Sequence, residues 1–299
     1  MPAPSRTEGD PVTKTLRTAW IPASAALLAV ALLAAPLGAV APTDAPKTLE
    51  LGKGPTIVIV PDLGGSRTTW MPTVRKLVGT HRVVVVDLPG HGGSALPDPF
   101  TLDAAAEALD LVFARQNPDS TVIIGKGTGG MLALLALKAH PTHARGIAVI
   151  DAGLKSPVPI EDQMVKYFQA QLDTRYDDVM KMIYTRLGRD SLQGMNIHAM
   201  AMQVPPRTMK AYWGALPLAD ATPALKSLQV PFLFIATDRL FKDGRSWGTV
   251  ARDIGYEDTT GTRMQRIRGA GYLVMQDLPD SLAAVIADFT ARSLAAKKR

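Results

Sequence analysis

The 299-residue chain contains no cysteine. Disulfide bonds, thiolate metal sites, a cysteine nucleophile and a lipid anchor on cysteine are therefore excluded. The chain also lacks a basic stripe, because the lysines and arginines behind its net charge of +6 are spread along the sequence. Without such a stripe or interleaved aromatic residues, we expect no nucleic-acid binding. We also expect no resident metal and no cofactor.

Charged residues are absent between Arg17 and Asp44. This segment has a long apolar core, a proline/glycine break and the small-residue ending Ala39-Val40-Ala41. A basic flank, an apolar core and such an ending predict a secretory signal over residues 1–41, and hence export to the periplasm or the medium. Membrane association through an uncleaved N-terminal segment stays open, since the uncharged span is barely long enough to cross a bilayer.

Strand and helix patterns alternate in the rest of the chain. Predicted strands begin at positions 56, 82, 121, 146 and 231, and their mostly apolar runs are typical of strands buried on both faces. A last, weaker strand pattern begins at Met264. This alternation predicts an α/β fold with a doubly wound, mostly parallel sheet. We expect the fold to be built from 42–155 and 223–299. The segment 156–222 shows helical periods only and is predicted to be a helical lid over the carboxyl edge of the sheet.

A glycine-rich corner, Gly125-Lys-Gly-Thr-Gly-Gly130, separates a predicted strand from a predicted helix. It satisfies the dinucleotide fingerprint G-x-G-x-x-G. It also has the length of a nucleophile elbow, G-x-S-x-G, with Gly127 in the place of the serine. The fingerprint normally opens its domain, whereas at least two strand–helix units precede this corner, so dinucleotide binding is the minor alternative. We expect the side chain of Lys126 to face solvent.

Three motifs carry a resemblance to a known family: Val58-Ile-Val-Pro-Asp-Leu-Gly-Gly-Ser66, Val84-Val-Val-Asp-Leu-Pro-Gly-His-Gly-Gly-Ser94 and Val122-Ile-Ile-Gly-Lys-Gly-Thr-Gly-Gly130. Together with the lid segment and Gly269-Ala-Gly-Tyr272, they follow the order found in capped α/β-hydrolases. The chain resembles the lipase, esterase and epoxide-hydrolase branch of that superfamily over nearly all of residues 50–296. The resemblance implies an α/β-hydrolase fold with a helical lid insert.

In that family, catalysis uses a serine, an acid and a histidine that takes the serine proton. The resemblance places these roles on Gly127, on Asp238 or Leu240, and on Tyr272, and no histidine follows His198. A phenol is a poor general base at neutral pH. We therefore expect a substituted catalytic triad.

The backbone donors of an oxyanion hole are expected near Leu63 and Thr128. The resulting hypothesis is an exported protein that binds a small apolar or ester-like ligand without hydrolysing it. An active hydrolase of carboxylic esters or amides with a non-standard site remains the alternative. The candidate pocket residues lie at the carboxyl edge of the sheet or in the lid: Asp62, Lys126, Gly127, His198, Asp238 and Tyr272.

Overall fold

The structure is a computed structural model, and it describes residues 44–156, 160–257 and 262–296. All of these residues belong to one compact unit. The predicted signal segment, including Ala39-Val40-Ala41, lies outside the described residues. Among the helices of the described ranges, none is both long and apolar enough to cross a membrane.

The strands of the described ranges form one seven-stranded sheet. In chain order they are β1 (Thr48–Leu51), β2 (Thr56–Val60), β3 (Arg82–Val86), β4 (Thr121–Lys126), β5 (Gly146–Ile150), β6 (Phe232–Thr237) and β7 (Arg263–Ile267). Their spatial order is β1-β3-β2-β4-β5-β6-β7, and all neighbouring pairs are parallel except β1 with β3. The predicted doubly wound, mostly parallel sheet is confirmed. Strand β1 was not predicted, because a short, half-exposed edge strand has no continuous apolar run.

In the described ranges, helices follow most of the strands. They are α1 (Met71–Leu77), α2 (Leu102–Phe113), α3 (Thr128–Ala139), α4 (Asp162–Thr174), α5 (Tyr176–Thr185), α6 (Ser191–Ala201), α7 (Pro206–Ala215), α8 (Thr222–Lys226), α9 (Trp247–Ile254), α10 (Val274–Asp277) and α11 (Pro279–Ala295). The Thr101 side chain caps α2, since it accepts a 2.9 Å hydrogen bond from the Ala104 N–H. Such a cap satisfies one of the free donors at a helix start.

The core of the protein surrounds the central strands. Every residue of β2, β4 and β5 is buried. Helices α3 and α11 both pack against β4 and β5, as expected of helices on opposite faces of the sheet. The apolar β-branched side chains of these strands are therefore removed from water on both faces, which is the main driving force for this architecture.

The strand order reverses between β2 and β4, and this reversal positions the candidate site. Strand β3 lies on one side of β2, and the chain then crosses to place β4 on the other side. In open α/β sheets a crevice forms outside the carboxyl ends of the strands at such a point. Asp62 follows β2 and Gly127 follows β4, so both lie at this crevice. Helices α4 to α8 form the helical insert between β5 and β6.

Candidate active site

Gly127 is the apex of the turn between β4 and α3. Its φ of 51° and ψ of −123° form a conformation that residues with a side chain rarely adopt. Its N–H donates a 2.9 Å hydrogen bond to the Ile150 carbonyl. A Cβ atom at Gly125 would lie 2.4 Å from the Gly130 Cα, so these glycines let α3 approach its strand. The corner has the shape of a nucleophile elbow and carries no side chain at its apex.

The carboxylate of Asp62 occupies the space beside Gly127. Its Oδ1 accepts hydrogen bonds of 2.8 Å from the backbone N–H of Leu63 and from that of Thr128. These are the two donors that the sequence placed in an oxyanion hole. A Cβ atom at Gly127 would lie 2.2 Å from the Asp62 Cγ and both of its oxygens. A negatively charged group of the protein itself therefore fills both the oxyanion position and the position of an elbow side chain.

Lys126 is buried, with 1% of its side chain exposed, so the prediction that it faces solvent is wrong. Its Nζ lies 3.1 Å from the Asp62 Oδ2 and 3.6 Å from the centroid of the Tyr272 ring. A buried ammonium requires compensation, which a carboxylate and the face of an aromatic ring both supply. Lys126 is the last residue of β4, and every residue of this strand is buried. Its partner Asp62 follows the end of β2, 64 positions earlier in the chain.

The ionisation of these groups follows from their contacts. Burial alone would raise the pKa of Asp62, but the Lys126 ammonium and the two backbone N–H donors outweigh it and hold that pKa below its usual value. Burial raises the pKa of Tyr272 well above its usual value, and the nearby Asp62 charge raises it further. Asp62 is therefore a carboxylate at neutral pH, and Tyr272 is a neutral phenol that cannot act as a base.

A cavity of about 610 Å³ lies over this floor. Asp62, Gly127 and Tyr272, three of the predicted pocket residues, line it together with Leu240. The helical insert contributes an apolar roof consisting of Ile183, Tyr184, Leu187, Trp213 and Leu216. Volumes of this size are typical of small-molecule sites.

Lys126 lines a separate cavity of about 10 Å³, which has room for one water molecule at most. Two predicted pocket residues, His198 and Asp238, line neither cavity. The Asp238 carboxylate instead accepts 2.7 Å hydrogen bonds from the Arg266 Nε and from the Gly269 N–H, which tie the end of β6 to the loop after β7. Asp238 is thus held by a structural contact rather than directed at Tyr272.

Two lining residues were missed as site residues. Asp151 directly follows an apolar strand, a position that more often caps a turn than takes part in chemistry. Its carboxylate accepts hydrogen bonds from the Thr237 N–H at 2.9 Å and from the Thr237 hydroxyl at 2.5 Å, and it lines the cavity. Arg239, which had not been singled out, also lines it. Asp151 directly follows β5 and Arg239 lies two residues after β6. Position at a strand's carboxyl end is the signal that could have identified both.

Comparisons with known proteins agree with this fold. The sequence model described as the alpha/beta hydrolase family matches residues 57–285. The chain belongs to the α/β-hydrolase family. A hydrolase structure from Oleispira antarctica has a TM-score of 0.68 at 16% identity, covering 82% of this chain and 94% of that one, which supports the fold.

Two curated relatives of this α/β-hydrolase-family chain differ in the activity that their names give, one being called an esterase and the other a chelatase subunit. A pimeloyl-[acyl-carrier protein] methyl ester esterase from Pseudoalteromonas atlantica is 30% identical over 106 residues, 35% of this chain. That match spans only 40% of the esterase. A magnesium-chelatase 30 kDa subunit from Rhodobacter capsulatus is 28% identical over 254 residues, covering 79% of this chain and 87% of that protein.

The structure argues against dinucleotide binding at the glycine corner. A pyrophosphate binds a helix start through free N–H groups. Here the N–H of Thr128 already donates to Asp62, whose negative charge would repel a phosphate. The glycines instead serve the close packing of α3 on its strand.

A second polar cluster lies at the opposite edge of the sheet. The His143 Nδ1 is 2.8 Å from one oxygen of the nearly buried Asp110, and the His140 Nε2 is 3.6 Å from the other. Ligand atoms of these three residues lie within 4.8 Å of one another, and imidazole with carboxylate is a donor set that suits a divalent transition metal. The same contacts also serve as hydrogen bonds that join α2 to the segment after α3.

Proposed function

We propose that this α/β-hydrolase-family protein binds a small apolar or ester-like ligand beneath its helical insert and does not hydrolyse it. One observation carries the proposal: the Asp62 carboxylate accepts hydrogen bonds from both of the backbone N–H groups that would have to stabilise an oxyanion. It also fills the volume that a side chain at Gly127 would need.

The chemistry of ester hydrolysis explains why this arrangement is incompatible with turnover. Negative charge develops on the ester carbonyl oxygen, and N–H donors stabilise that charge. At this site the developing charge would instead meet a fixed carboxylate. The apex offers no hydroxyl, and the nearby Tyr272 is a neutral phenol whose pKa lies well above its usual value. The triad is therefore proposed to be substituted at its nucleophile and its base.

The alternative is an active hydrolase with a non-standard site, which the esterase name of one relative favours. The Asp62 carboxylate, which lies beside the apex residue Gly127, is the group that could serve as the nucleophile of such a hydrolase. A carboxylate attacks through a free lone pair. The Oδ1 of Asp62 already accepts two hydrogen bonds, and its Oδ2 pairs with Lys126. These contacts lower its nucleophilicity, so binding without turnover is favoured.

Methyl octanoate, an ester with an apolar chain, provides the test. Calorimetry measures its binding to the wild type, and methanol release measures its hydrolysis. We expect binding, with methanol release equal to that of buffer. Leu187→Trp, which fills the roof of the cavity, should weaken binding at least tenfold. The matched control is Leu192→Trp, because Leu192 is 71% exposed on α6, and it should leave binding unchanged.

Two outcomes would overturn the proposal. Methanol release by the wild type that disappears in Asp62→Asn would establish the alternative, a hydrolase with a carboxylate nucleophile. Failure of both methyl octanoate and the related anion octanoate to bind, or binding unaffected by Leu187→Trp, would show that the cavity does not take such ligands.

The proposal also includes location and the role of the insert. The insert roofs the cavity and would act as a lid that excludes water from the ligand. The charge-free segment before Asp44 supports export to the periplasm or the medium, or membrane association if that segment is retained.

A further inference from the structure

The charged side chains that line the large cavity differ in whether they have partners. Lys155 pairs with Glu257 at 2.8 Å, and Arg245 pairs with Asp253. Asp62 is paired with the buried Lys126. These contacts neutralise most of the charge around the cavity, so a ligand gains little by approaching these groups.

Arg239 is the exception among the cations that line the cavity. Within the described part of the chain its guanidinium has no hydrogen bond and no ion pair. Its nearest aromatic neighbour is the Tyr272 ring, 5.7 Å from the guanidinium carbon. Arginine is always protonated and presents five N–H donors in a planar fork that matches a carboxylate or phosphate. Arg239 therefore presents unused donors at the floor of the cavity.

The Asp151 carboxylate, which also lines the cavity, makes no hydrogen bond with the Arg239 guanidinium. Its two oxygens accept the hydrogen bonds from Thr237 described above. Burial raises its pKa, whereas the Arg239 charge counteracts that rise, so the two groups interact through space without a hydrogen bond. Asp151 therefore attracts Arg239 only through space, and the N–H donors of the guanidinium form no hydrogen bond with it.

The start of α3, the other position where an anionic ligand would be expected to bind, is already occupied. A helix start with free N–H groups attracts negative charge. At α3 that position holds the Asp62 carboxylate. A second negative group there would be repelled, so an anionic ligand is directed away from Gly127 and towards Arg239.

We propose that the ligand is an amphipathic anion whose carboxylate or phosphate binds Arg239 and whose apolar chain packs under the insert. This inference rests on the proposed function, because it specifies the ligand of the same cavity. Ile183, Leu187 and Trp213 provide the apolar surface for the chain. Water excluded by that surface strengthens the ionic contact at the floor.

The test compares probes with the same eight-carbon chain: octanoate, octyl phosphate and uncharged methyl octanoate. Calorimetry on the full chain measures each dissociation constant. A charge-assisted hydrogen bond is roughly twice as strong as a neutral one, so at least one of the two anions should bind at least tenfold more tightly than methyl octanoate. The better of the two anions identifies the head group.

The arginine is tested with Arg239→Gln, which should weaken binding of that anion at least tenfold and change methyl octanoate binding less than twofold. Arg245→Gln is the matched control, since Arg245 lines the same cavity but is paired with Asp253, and it should change anion binding less than threefold. Arg239→Lys keeps the charge without the fork and should fall between the wild type and Arg239→Gln.

The results separate the two proposals. If methyl octanoate binds as well as both anions, or Arg239→Gln affects all probes equally, the inference about the anion is refuted and ligand binding itself stands. If none of the three probes binds to correctly folded wild type, the proposed function fails together with the inference.

Discussion

Replacing Gly127 with alanine should displace the Asp62 carboxylate. The new Cβ atom would overlap the carboxylate at 2.2 Å, so Asp62 must leave its two N–H donors and Lys126. Breaking a buried ion pair costs about 3–5 kcal/mol, and a side chain at this strained backbone conformation costs about 1–3 kcal/mol. We expect Gly127→Ala to reduce the free energy of unfolding by about 4–8 kcal/mol, a large part of the stability of an ordinary domain.

A double-mutant cycle, measured by urea unfolding, isolates the contact between position 127 and the Asp62 carboxylate. Once Asp62→Ala has removed the carboxylate, Gly127→Ala should cost only the backbone strain, so the two losses should fall short of additivity by about 3 kcal/mol or more. Gly93→Ala is the control for strain alone, because Gly93 has a φ of 89° and a Cβ there meets nothing within 4 Å. If Gly127→Ala costs no more than Gly93→Ala, or its cost adds fully to that of Asp62→Ala, Asp62 does not fill the apex.

The same contact determines whether hydrolysis can be rebuilt. Gly127→Ser combined with Tyr272→His and Leu240→Asp would supply a serine, a base and an acid. With Asp62 retained, the serine lacks both space and an oxyanion hole, so aryl-ester turnover should remain at background. Adding Asp62→Gly frees the two N–H donors, and turnover should rise by at least one order of magnitude, since one such donor contributes about 10²–10³ in kcat. Equal turnover with and without Asp62 would contradict this account.

Three further predictions follow from other parts of the chain. Burial lowers the pKa of His91 to about 4 from its usual 6.5, so its stabilising effect is complete above pH 6.5 and lost as the pH falls to 4. Urea titrations should therefore show a loss of about 3 kcal/mol over that range; a flat profile, or the same slope in His91→Gln, would contradict it. NAD(H) should give no calorimetric signal at the glycine corner. Micromolar binding abolished by Asp151→Ala would restore the dinucleotide alternative, because Asp151 lies about twenty residues after the glycines, where such folds hold a ribose hydroxyl. Protein from its native host should begin near residue 42, whereas cytosolic protein beginning at Met1 would rule out export.

The sequence by itself determined the fold. The buried strands, the order of the motifs and the helical insert could all be predicted, because apolar periodicity and turn residues are local properties of the chain. The Pro-Gly-His-Gly turn of the second motif predicts a structural role for His91. Its Nε2 indeed accepts a 3.2 Å hydrogen bond from the Gly64 N–H, within a turn that the sequence showed plainly. The apex glycine and the phenol at position 272 could likewise be identified from their places in the motifs.

Only the tertiary structure decided what the altered site contains. The sequence predicts an exposed Lys126, yet this lysine is buried because Asp62, just after the neighbouring strand β2, compensates its charge. The sequence also gave no sign that the Asp62 side chain turns back into the oxyanion position, nor that Arg239 is left without a partner. Pairing between charged groups depends on which strand ends meet at the carboxyl edge of the sheet, and that proximity arises only when the sheet has formed.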